Sequence, residues 1–519
     1  MSLWGKKWII QNKDSGADLM DKLLLNRQID TDEKRRDFFE GDLNLVHDPF
    51  LMTDMQKAVE RIKRAIEEGE KIMVFGDYDI DGVTGTALLY DFLKRAGAET
   101  AYLLPHREKD GYGLKDYFIR RFKDEGVRLI VTVDCGTSNA AEIQLANTLG
   151  MDVIVTDHHS MPAELPQAYA IINPKRKDCH YPNPNICGST IAYKLVMALS
   201  RDFMKEQERK EYLMKQLSIV TLGVIGDCMP LSGENRVLVK YGLKSLQAGH
   251  NPGMSALVES VGVAPSKITS FTIGFQVGPR LNAAGRLDKA DHAFELILGN
   301  LEKAEVLNQL NLMRRTLVKD YLDEVMAELD ARESLPNLIA LHNPEWKAGL
   351  LGLIASKIAE TYHRPTIVMQ DRDDELVASC RSVGNFDITG FLREIIEDLC
   401  TSFGGHAMAG GFTLPTKNLK EFSRRLAEAS QKSPELGHPE GILEIDCEVT
   451  SKELTLECAR DLSRLQPYGT GNPEPTLVIR NAKILNVRPV GQQGEHLQFP
   501  VEYEGQVHSA IAFRFGEHF

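Results

Sequence analysis

Aspartate occupies every second position in the run GDYDIDG (76–82), at Asp77, Asp79 and Asp81, immediately after the apolar run KIMVF (71–75). A short apolar run that ends at a glycine is typical of a buried strand, so three carboxylates should lie at one strand end. Like charges this close repel, and burying them without a partner is costly. A bound divalent cation removes both penalties. The chain is therefore constrained to fold around a cation site.

Strand-like and helix-like runs alternate between about residues 54 and 260. This alternation predicts a parallel sheet with helices on both faces, in which ligands bind at the carboxyl ends of the strands. The predicted strands 128–134 and 152–157 each end in an aspartate, and an isolated acid follows the apolar run 221–226. The catalytic groups that we expect at this sheet edge are Asp77, Asp79, Asp81, Asp134, His158, His159 and Asp227.

These groups have the composition of a two-metal site. Carboxylates with imidazole, and without a thiolate pair, suit Mn²⁺ or Mg²⁺ better than structural zinc. The expected metal ligands are Asp77, Asp79, Asp81, Asp134, His158 and Asp227. Adjacent residues of an extended segment face opposite ways, so one of the two histidines should ligate while the other acts beside the metals or on the substrate. Two metals that share a carboxylate activate water for attack on phosphorus, which predicts an enzyme that hydrolyses phosphate esters.

The rest of the chain predicts further domains. A long charged helix over about 301–333 should bridge two of them through one apolar stripe. That stripe consists of Leu310, Met313, Leu317, Tyr321, Val325 and Leu329. Short strand-like runs after the polar linker 430–441 predict a small β-barrel. The predicted division is an irregular, partly helical lead-in over 1–53, a catalytic α/β domain over 54–300, a connecting helix over 301–335, a second α/β domain over 336–430 and the barrel over 441–519.

Composition narrows the classes of function. The net charge of −13 is unfavourable for a nucleic-acid-binding protein. Acidic metal ligands inflate that count, however, and a local basic groove can still hold a phosphate backbone. Membrane spans need about 18 or more consecutive apolar residues, and because the sequence lacks such a stretch we expect no membrane association. The eight cysteines are scattered without CxxC spacing, which predicts a reduced, cytoplasmic protein.

Several motifs resemble a known superfamily. The runs GDYDIDG (76–82), VDCG (133–136), TDHH (156–159) and GVIGD (223–227) resemble the four metal motifs of the DHH phosphoesterases. SFGGHAMAGGF (402–412) resembles the glycine-rich signature of the DHHA1 domain that commonly follows. The resemblance implies a DHH catalytic domain, a DHHA1 domain and two bound Mn²⁺ or Mg²⁺ ions, with the aspartate of VDCG at the position of the metal-bridging carboxylate.

A narrower resemblance comes from GYGL (111–114), GPRLNAAGRLDKA (278–290) and YGTGNPEP (468–475). Together they are similar to the RecJ-like branch, single-strand-specific 5′→3′ exonucleases of DNA repair and recombination. As in that branch, position 75 holds Phe75 instead of the histidine of other superfamily members. The resemblance implies single-stranded DNA as substrate, with single-strand-binding protein and a helicase as partners. It also implies that the C-terminal barrel is OB-like and continues in the family beyond the position of Phe519.

Phosphodiester substrates need cations and backbone N–H donors. The expected substrate-binding residues are Arg107, Arg280, Asn282, Arg286, Ser379, Arg381, Ser382, Gly405 and His406. In RecJ-like proteins the matching positions are implied to hold the DNA backbone and the terminal phosphate. We expect Arg107, Ser379 and Arg381 to form the pocket for a 5′-phosphate.

Two other functions compete with exonuclease activity. One is a DHH phosphodiesterase for very short oligonucleotides or cyclic dinucleotides, against which the segment 435–519 and the run 278–290 argue, because such enzymes are usually smaller. The other is a non-catalytic single-strand DNA-binding scaffold that has lost its metals. The complete set of acidic and imidazole groups argues against that scaffold.

Overall fold

The computed structural model describes residues 6–14, 16–433, 436 and 441–516. Two compact units are present. The terminal unit takes its described residues from Met1–Asp42, Leu231–Gly233 and Glu440–Phe519, and the central unit from Leu43–Pro230 and Glu234–Pro439. Half of the predicted linker 430–441 (434–435 and 437–440) lies outside the described residues. Within the described ranges, no helix is both long and apolar enough to cross a membrane.

Seventeen strands are formed by the described residues. In chain order they are β1 (Lys7–Asn12), β2 (Lys71–Gly76), β3 (Thr100–Leu103), β4 (Val127–Val133), β5 (Asp152–Thr156), β6 (Ala170–Ile172), β7 (Ile339–His342), β8 (Thr366–Arg372), β9 (Glu375–Arg381), β10 (Ser402–His406), β11 (Ala409–Pro415), β12 (Ile442–Glu448), β13 (Leu477–Val478), β14 (Lys483–Ile484), β15 (Arg488–Val490), β16 (His496–Tyr503) and β17 (Gln506–Ala512).

The same described residues form seventeen α-helices. They are α1 (Leu19–Asn26), α2 (Asp32–Glu40), α3 (Met55–Glu67), α4 (Ile80–Arg95), α5 (Asp116–Asp124), α6 (Ala140–Thr148), α7 (Gly188–Phe203), α8 (Glu206–Gly226), α9 (Gly233–Gln247), α10 (Pro252–Ser260), α11 (Gly278–Leu287), α12 (Asp291–Ile297), α13 (Lys303–Asp330), α14 (Leu351–Tyr362), α15 (Ile388–Ile396), α16 (Leu419–Lys432) and α17 (Leu456–Ser463). A π-helical segment, Thr272–Val277, leads directly into α11.

The first sheet of the central unit is fully parallel, with strand order β3-β2-β4-β5-β6. Alternate residues of β2 pack on opposite faces, as the two-residue period of a strand requires. Ile72 and Val74 join the apolar cluster with α3, α4 and α7, whereas Met73 and Phe75 join the cluster with α5 and α6. The predicted parallel sheet, covered by helices on both faces, is confirmed.

The second sheet of the central unit is mixed, with strand order β10-β11-β9-β8-β7. Only β7 and β8 are parallel, and the other pairs are antiparallel. Helix α14 packs on one face, and α15 and α16 pack on the other. This is the second α/β sheet that the sequence predicted.

The long helix α13 differs in one respect from its predicted stripe. Val325 and Leu329 are buried in the apolar cluster beside α14, but Met313 is 51% exposed. The first half of α13 packs instead against α10, α11 and α12, where Leu307 and Asn311 are buried. Because different neighbours contact the two halves on different sides, the six-residue stripe does not form one continuous buried face.

The terminal unit contains a pairing that the sequence did not indicate. Strand β1, in the predicted irregular lead-in, lies parallel to β12, which also pairs with β13. The C-terminal strands form a separate antiparallel sheet in which β16 pairs with β14 and β15 on one side and β17 on the other. Residues 517–519 lie outside the described residues.

Candidate active site

Three neighbouring strands of the parallel sheet end side by side. Gly76 at the end of β2 is in register with Val133 of β4, and Val133 is in register with Thr156 of β5. The residues that follow these positions are Asp77, Asp134 and the run Asp157-His158-His159. Parallel pairing therefore brings three separate segments to one edge of the sheet.

His158 lies at the centre of the resulting cluster. Its Nε2 atom lies 3.0 Å from Asp134 Oδ1, 3.6 Å from Asp227 Oδ2 and 3.8 Å from Asp81 Oδ2. Potential ligand atoms lie within 4.8 Å of one another in three overlapping groups, namely Asp134-His158-His159, Asp81-His158-Asp227 and Asp77-Asp79-Asp134. The structure thus brings together all seven groups that the sequence placed at this edge.

Helix N-termini fix two of the carboxylates. Asp79 caps α4, and its Oδ1 accepts hydrogen bonds from the backbone N–H groups of Asp81 (2.9 Å) and Gly82 (3.1 Å). The buried carboxylate of Asp81 accepts from the N–H groups of Gly188 (2.6 Å) and Ser189 (2.9 Å) at the start of α7. A helix N-terminus favours negative charge and offers unpaired donors. The two carboxylates are therefore positioned by backbone.

Asp134 is held by a less common backbone conformation. Its φ angle is 60°, in the left-handed region that residues other than glycine rarely adopt. Gly188 packs directly against it, and a Cβ atom at position 188 would lie 2.6 Å from Asp134 Cβ. Backbone strain of this kind is concentrated at functional sites. Both features place the Asp134 carboxylate among the other ligands.

The cluster has an electrostatic requirement for cations. Burial, with added repulsion from neighbouring aspartates, raises the pKa of Asp77 and Asp227 to about 8, that of Asp81 to about 6, and that of Asp134 well above its usual value. Within this cluster, four buried atoms have no hydrogen-bond partner among the described residues: Asp77 Oδ1, Asp134 Oδ1, Asp227 Oδ2 and His158 Nδ1. The short His158–Asp134 approach thus lacks hydrogen-bond geometry. Orphaned oxygens beside one imidazole fit Mn²⁺ or Mg²⁺.

The two histidines have opposite environments. Burial lowers the pKa of His158 to about 3, so it presents a neutral imidazole to the carboxylates. Burial opposes charge on His159 as well, but its hydrogen bond to Asp157 and that carboxylate's charge raise its pKa to about 9. His159 Nδ1 lies 2.8 Å from Asp157 Oδ1, and Asp157 also accepts from the backbone N–H groups of both histidines. Asp157 therefore orients His159 and keeps it protonated.

A cleft of about 900 Å³ lies beside this cluster, within the central unit. Six basic residues line it, against three acidic ones, so it is locally positive in a chain of net charge −13. The basic residues are Arg107, Lys109, Lys115, Arg286, Arg372 and Arg381. A local basic groove of this kind can hold a phosphate backbone despite the negative net charge of the chain.

Arg381 and Ser379 line this cleft together. Arg381 Nη1 donates to Ser379 Oγ (3.1 Å) and Nε donates to Ser356 Oγ (3.1 Å), so the guanidinium is held in place. Burial, with a contribution from the charge of Arg107, lowers the pKa of Arg381. The Arg107 guanidinium stacks 4.0 Å from the ring centroid of Tyr78, the residue between the first two aspartates of the cluster. The three residues of the predicted 5′-phosphate pocket therefore line one cavity.

The other predicted substrate residues lie in different surroundings. Arg286 lines the cleft and donates to the backbone oxygen of Gly349 (2.9 Å), and its pKa is lowered to about 9 by burial and by the charge of Arg107. The side-chain oxygen of Asn282 accepts from the N–H of Ile80 (2.9 Å), so it supports the loop that carries the aspartates.

Arg280 and Ser382 do not line the cleft. Arg280 Nε donates to Asn308 Oδ1 of α13 (2.8 Å), and Ser382 Oγ donates to the backbone oxygen of Phe386. Gly405 pairs with Gly410 in the β10–β11 hairpin, and its φ of 143° requires glycine. His406 is exposed at the end of that hairpin, and its charge contributes to the lowered pKa of His158.

Sequence reasoning did not assign two residues beside the cluster. The Tyr112 hydroxyl donates to the backbone oxygen of Asp134 (3.0 Å) and lies 3.2 Å from His159 Nδ1. The charge of Lys175 acts on both His158 and Asp227. Tyr112 belongs to the GYGL motif, so a signal for it was present, whereas nothing in the sequence around Lys175 marked it.

Known protein families match most of this chain. The DHH family N-terminal domain matches residues 71–224, the DHHA1 domain matches 335–432, and the RecJ OB domain matches 445–519. Among characterised proteins, the single-stranded-DNA-specific exonuclease RecJ of Salmonella typhimurium is 36% identical over 88% of this chain and 82% of its own length. The protein of the same name from Bacillus subtilis is 33% identical over 96% of this chain, which spans 63% of that relative's length.

Solved structures agree with these matches. RecJ from Thermus thermophilus in complex with Mn²⁺ superimposes with a TM-score of 0.79 and 27% identity, covering 97% of this chain and 74% of that one. The complex of the Thermus thermophilus protein with Mg²⁺ gives a TM-score of 0.74 and 26% identity, covering 98% of this chain and 72% of that one. The metals of these relatives are those that the ligand chemistry of this cluster favours.

Proposed function

The chain belongs to the RecJ family of single-stranded-DNA-specific exonucleases, and from this membership we propose that it is a metal-dependent enzyme that hydrolyses single-stranded DNA from the 5′ end and releases 5′-mononucleotides. The observation that carries the proposal is the convergence of the seven acidic and imidazole groups within reach of shared cations. The adjoining basic cleft supports it, because a polyanionic strand needs positive charge beside the reacting bond.

The metal ligands in this proposal are Asp77, Asp79, Asp81, Asp134, His158 and Asp227. The chemistry that two divalent ions supply when bound is activation of a water and stabilisation of charge at phosphorus. Asp134 and His158 each belong to two of the three ligand groups, and of these two only Asp134 offers a pair of carboxylate oxygens, so Asp134 would be the residue able to serve both ions. His159, kept protonated and oriented by Asp157, faces the Asp134 carboxylate at 3.8 Å and would contact the substrate phosphate.

The cleft would determine the direction in which the enzyme degrades a strand. Arg107 and Arg381, with Ser379, would bind the terminal 5′-phosphate through charge-assisted hydrogen bonds. Arg286 sits between that pocket and the loop that carries the first aspartates, where a backbone phosphate would lie. A pocket at a fixed place beside the metals selects one strand end, which accounts for both end dependence and direction.

We also propose the division into domains, the biological role and the protein partners. Residues 54–300 would form the catalytic domain, with the lead-in at 1–53, the connecting helix at 301–335, the DHHA1 domain at 336–430 and the OB-like domain at 441–519. The protein would act in DNA repair and recombination in the cytoplasm, with single-strand-binding protein and a helicase as partners. Family membership supports these roles.

Digestion of end-labelled DNA tests the proposed activity. Single strands labelled at either end, the matching duplex and a dinucleotide are incubated with Mn²⁺ and wild type, Asp134→Ala, or the surface control Asp124→Asn. We expect mononucleotides released from the 5′ end of single strands, and a loss of several orders of magnitude only in Asp134→Ala.

Two results would favour the competing functions. Faster turnover of the dinucleotide than of the long single strand would identify a phosphodiesterase for short substrates. Binding of single strands without cleavage, in protein that retains no Mn²⁺ by elemental analysis, would identify a DNA-binding scaffold.

A further inference from the structure

Two phenylalanines lie exposed on the helix that precedes the predicted DNA-binding motif GPRLNAAGRLDKA. Phe271 is 61% exposed and Phe275 is 72% exposed. Their rings stack on each other, with centroids 4.8 Å apart and planes inclined by 26°. An isolated exposed apolar residue needs no explanation, but a stacked pair of exposed rings forms a patch that is typical of binding surfaces.

The inner face of this segment is well packed. Thr272, Ile273 and Val277 are buried, and the backbone continues from the π-helical turn Thr272–Val277 into α11 without a break. Single-turn π-helical segments are rare and frequently occur at functional sites. The segment is therefore fixed in place, and the outward direction of the two rings is a stable property of the fold.

The segment also packs against the supports of the candidate metal centre. A Cβ atom on Gly274 would meet Ile225, two residues before Asp227, and one on Gly278 would meet Ile80, between Asp79 and Asp81. The segment that carries the aromatic pair thus packs against neighbours of the candidate metal ligands. Neither ring lines the basic cleft that holds the predicted 5′-phosphate pocket.

Cations lie close to the backbone of the segment that carries the rings. Arg280 Nη1 donates to the backbone oxygen of Gln276 (2.6 Å), the residue after Phe275, and Arg280 Nε reaches Asn308 of α13 (2.8 Å). Arg314 and Arg315 of α13 are close enough for their charges to act on one another or on Arg280. The Nε atom of Arg314 is buried without a hydrogen-bond partner among the described residues. Clustered arginines that repel one another are stabilised by an anionic ligand.

We propose that Phe271 and Phe275 form a stacking platform for unpaired DNA bases, and that Arg280, Arg314 and Arg315 hold the adjoining phosphates. This deepens the proposed function and rests on it. A strand whose 5′ end occupies the cleft continues past the metal centre in the 3′ direction, so the platform binds nucleotides on the 3′ side of the bond being cut. Aromatic stacking accepts any base and gives no sequence preference, which suits an enzyme that degrades a whole strand.

An abasic-site scan tests the platform. Dissociation constants are measured in the cleavage-deficient Asp134→Ala background for 5′-phosphorylated oligonucleotides with one abasic site moved along the strand. We expect affinity to fall when the abasic site occupies one or two adjacent positions. Replacing both rings by alanine (Phe271→Ala with Phe275→Ala) should weaken binding of the intact strand about 10- to 100-fold and remove that position dependence.

Matched variants separate stacking from a structural role. Tryptophan at both positions should keep the affinity and the abasic pattern, leucine should lose them, and Leu301→Ala, which removes another exposed apolar side chain, should change neither. Thermal unfolding verifies that each variant is folded. The platform would be wrong if wild type degrades single strands but the alanine and leucine variants bind the abasic series with the same affinities as the Asp134→Ala parent. The rings would then serve another partner. If wild type degrades no single strand, the proposed function itself fails.

Discussion

The candidate metal centre and the basic cleft lie side by side, but they are built in different ways. In the metal centre, carboxylates sit at the ends of strands or helices, and backbone contacts fix them, as with Asp81 on the α7 N-terminus and Asp134 against Gly188. In the cleft, Arg107 and Arg381 come from distant segments and are held by side-chain contacts.

The difference predicts unequal tolerance to change. Carboxylates that are fixed by rigid backbone cannot move to accommodate a new atom, and displacement of reacting groups by about 1 Å can cost about 100-fold in rate. The tip of an arginine side chain can shift through small torsional rotations, at a lower cost than a movement of the backbone. Perturbations of equal size should therefore damage the metal centre more than the cleft.

The largest effect is expected from Gly188→Ala. The added methyl group would lie 2.6 Å from Asp134 Cβ, where no flexible atom can yield. We expect kcat on single-stranded DNA to fall about 100-fold, with a smaller rise in melting temperature on addition of Mn²⁺ than in wild type. Normal kcat in this variant would contradict backbone control of the metal centre.

A smaller loss is expected from Asp157→Asn, which leaves the ligands in place but removes the charge that holds His159 protonated. The His159 pKa should fall from about 9 toward the ordinary value of about 6.5. His159 would then be neutral at pH 8 and still largely charged at pH 6. Activity should fall about 10- to 100-fold, more at pH 8 than at pH 6. Histidine NMR titrations measure the shift, and an equal loss at both pH values would exclude this role.

The cleft is tested by Arg381→Ala and Arg107→Ala. Each removes charge-assisted hydrogen bonds to the proposed terminal phosphate, so KM for 5′-phosphorylated strands should rise about tenfold. KM for 5′-hydroxyl strands should change little, and the double variant should lose the preference for phosphorylated ends. Arg424→Ala, on α16 and paired with Glu421 and Glu428, is the control. An unchanged preference would refute the pocket.

The smallest effect is expected from Gly352→Ala, the counterpart of Gly188→Ala in the cleft. Its methyl group would lie 2.7 Å from Nη2 of Arg381, the end of a flexible side chain. A small rotation of that guanidinium relieves the clash, so KM should change less than about threefold. A loss as large as that of Gly188→Ala would show that the cleft is as rigid as the metal centre.

Much of the metal centre could be predicted from sequence because its residues lie in short motifs at the ends of predictable strands. Apolar runs define the strands, parallel strands end at one edge, and like charges there need a cation. The same logic missed Lys175, whose proximity to His158 depends on a loop that no pattern defines. It indicated Arg280 as a substrate contact, but the packing of Arg280 against α13, outside the cleft, is visible only in the structure.

The spacing of apolar residues predicts the buried face of a helix or strand only where a single neighbouring element covers that face. The parallel sheet satisfies this condition, and β2 alternates as expected. Helix α13 does not, because different helices contact its two halves, and so Met313 of the predicted stripe is half exposed. Strand β1 was not predicted because its partner, β12, lies more than 400 residues away in the sequence.

The sequence by itself determined the α/β architecture, the acidic and imidazole groups proposed as ligands and the chemistry of the metal they favour, because local patterns encode strands and charge repulsion encodes the need for a cation. The tertiary structure alone decided which arginines share a cleft, which histidine Asp157 holds protonated, and where Phe271 and Phe275 are exposed. Those properties depend on distances between segments far apart in the chain, and such distances are set by packing.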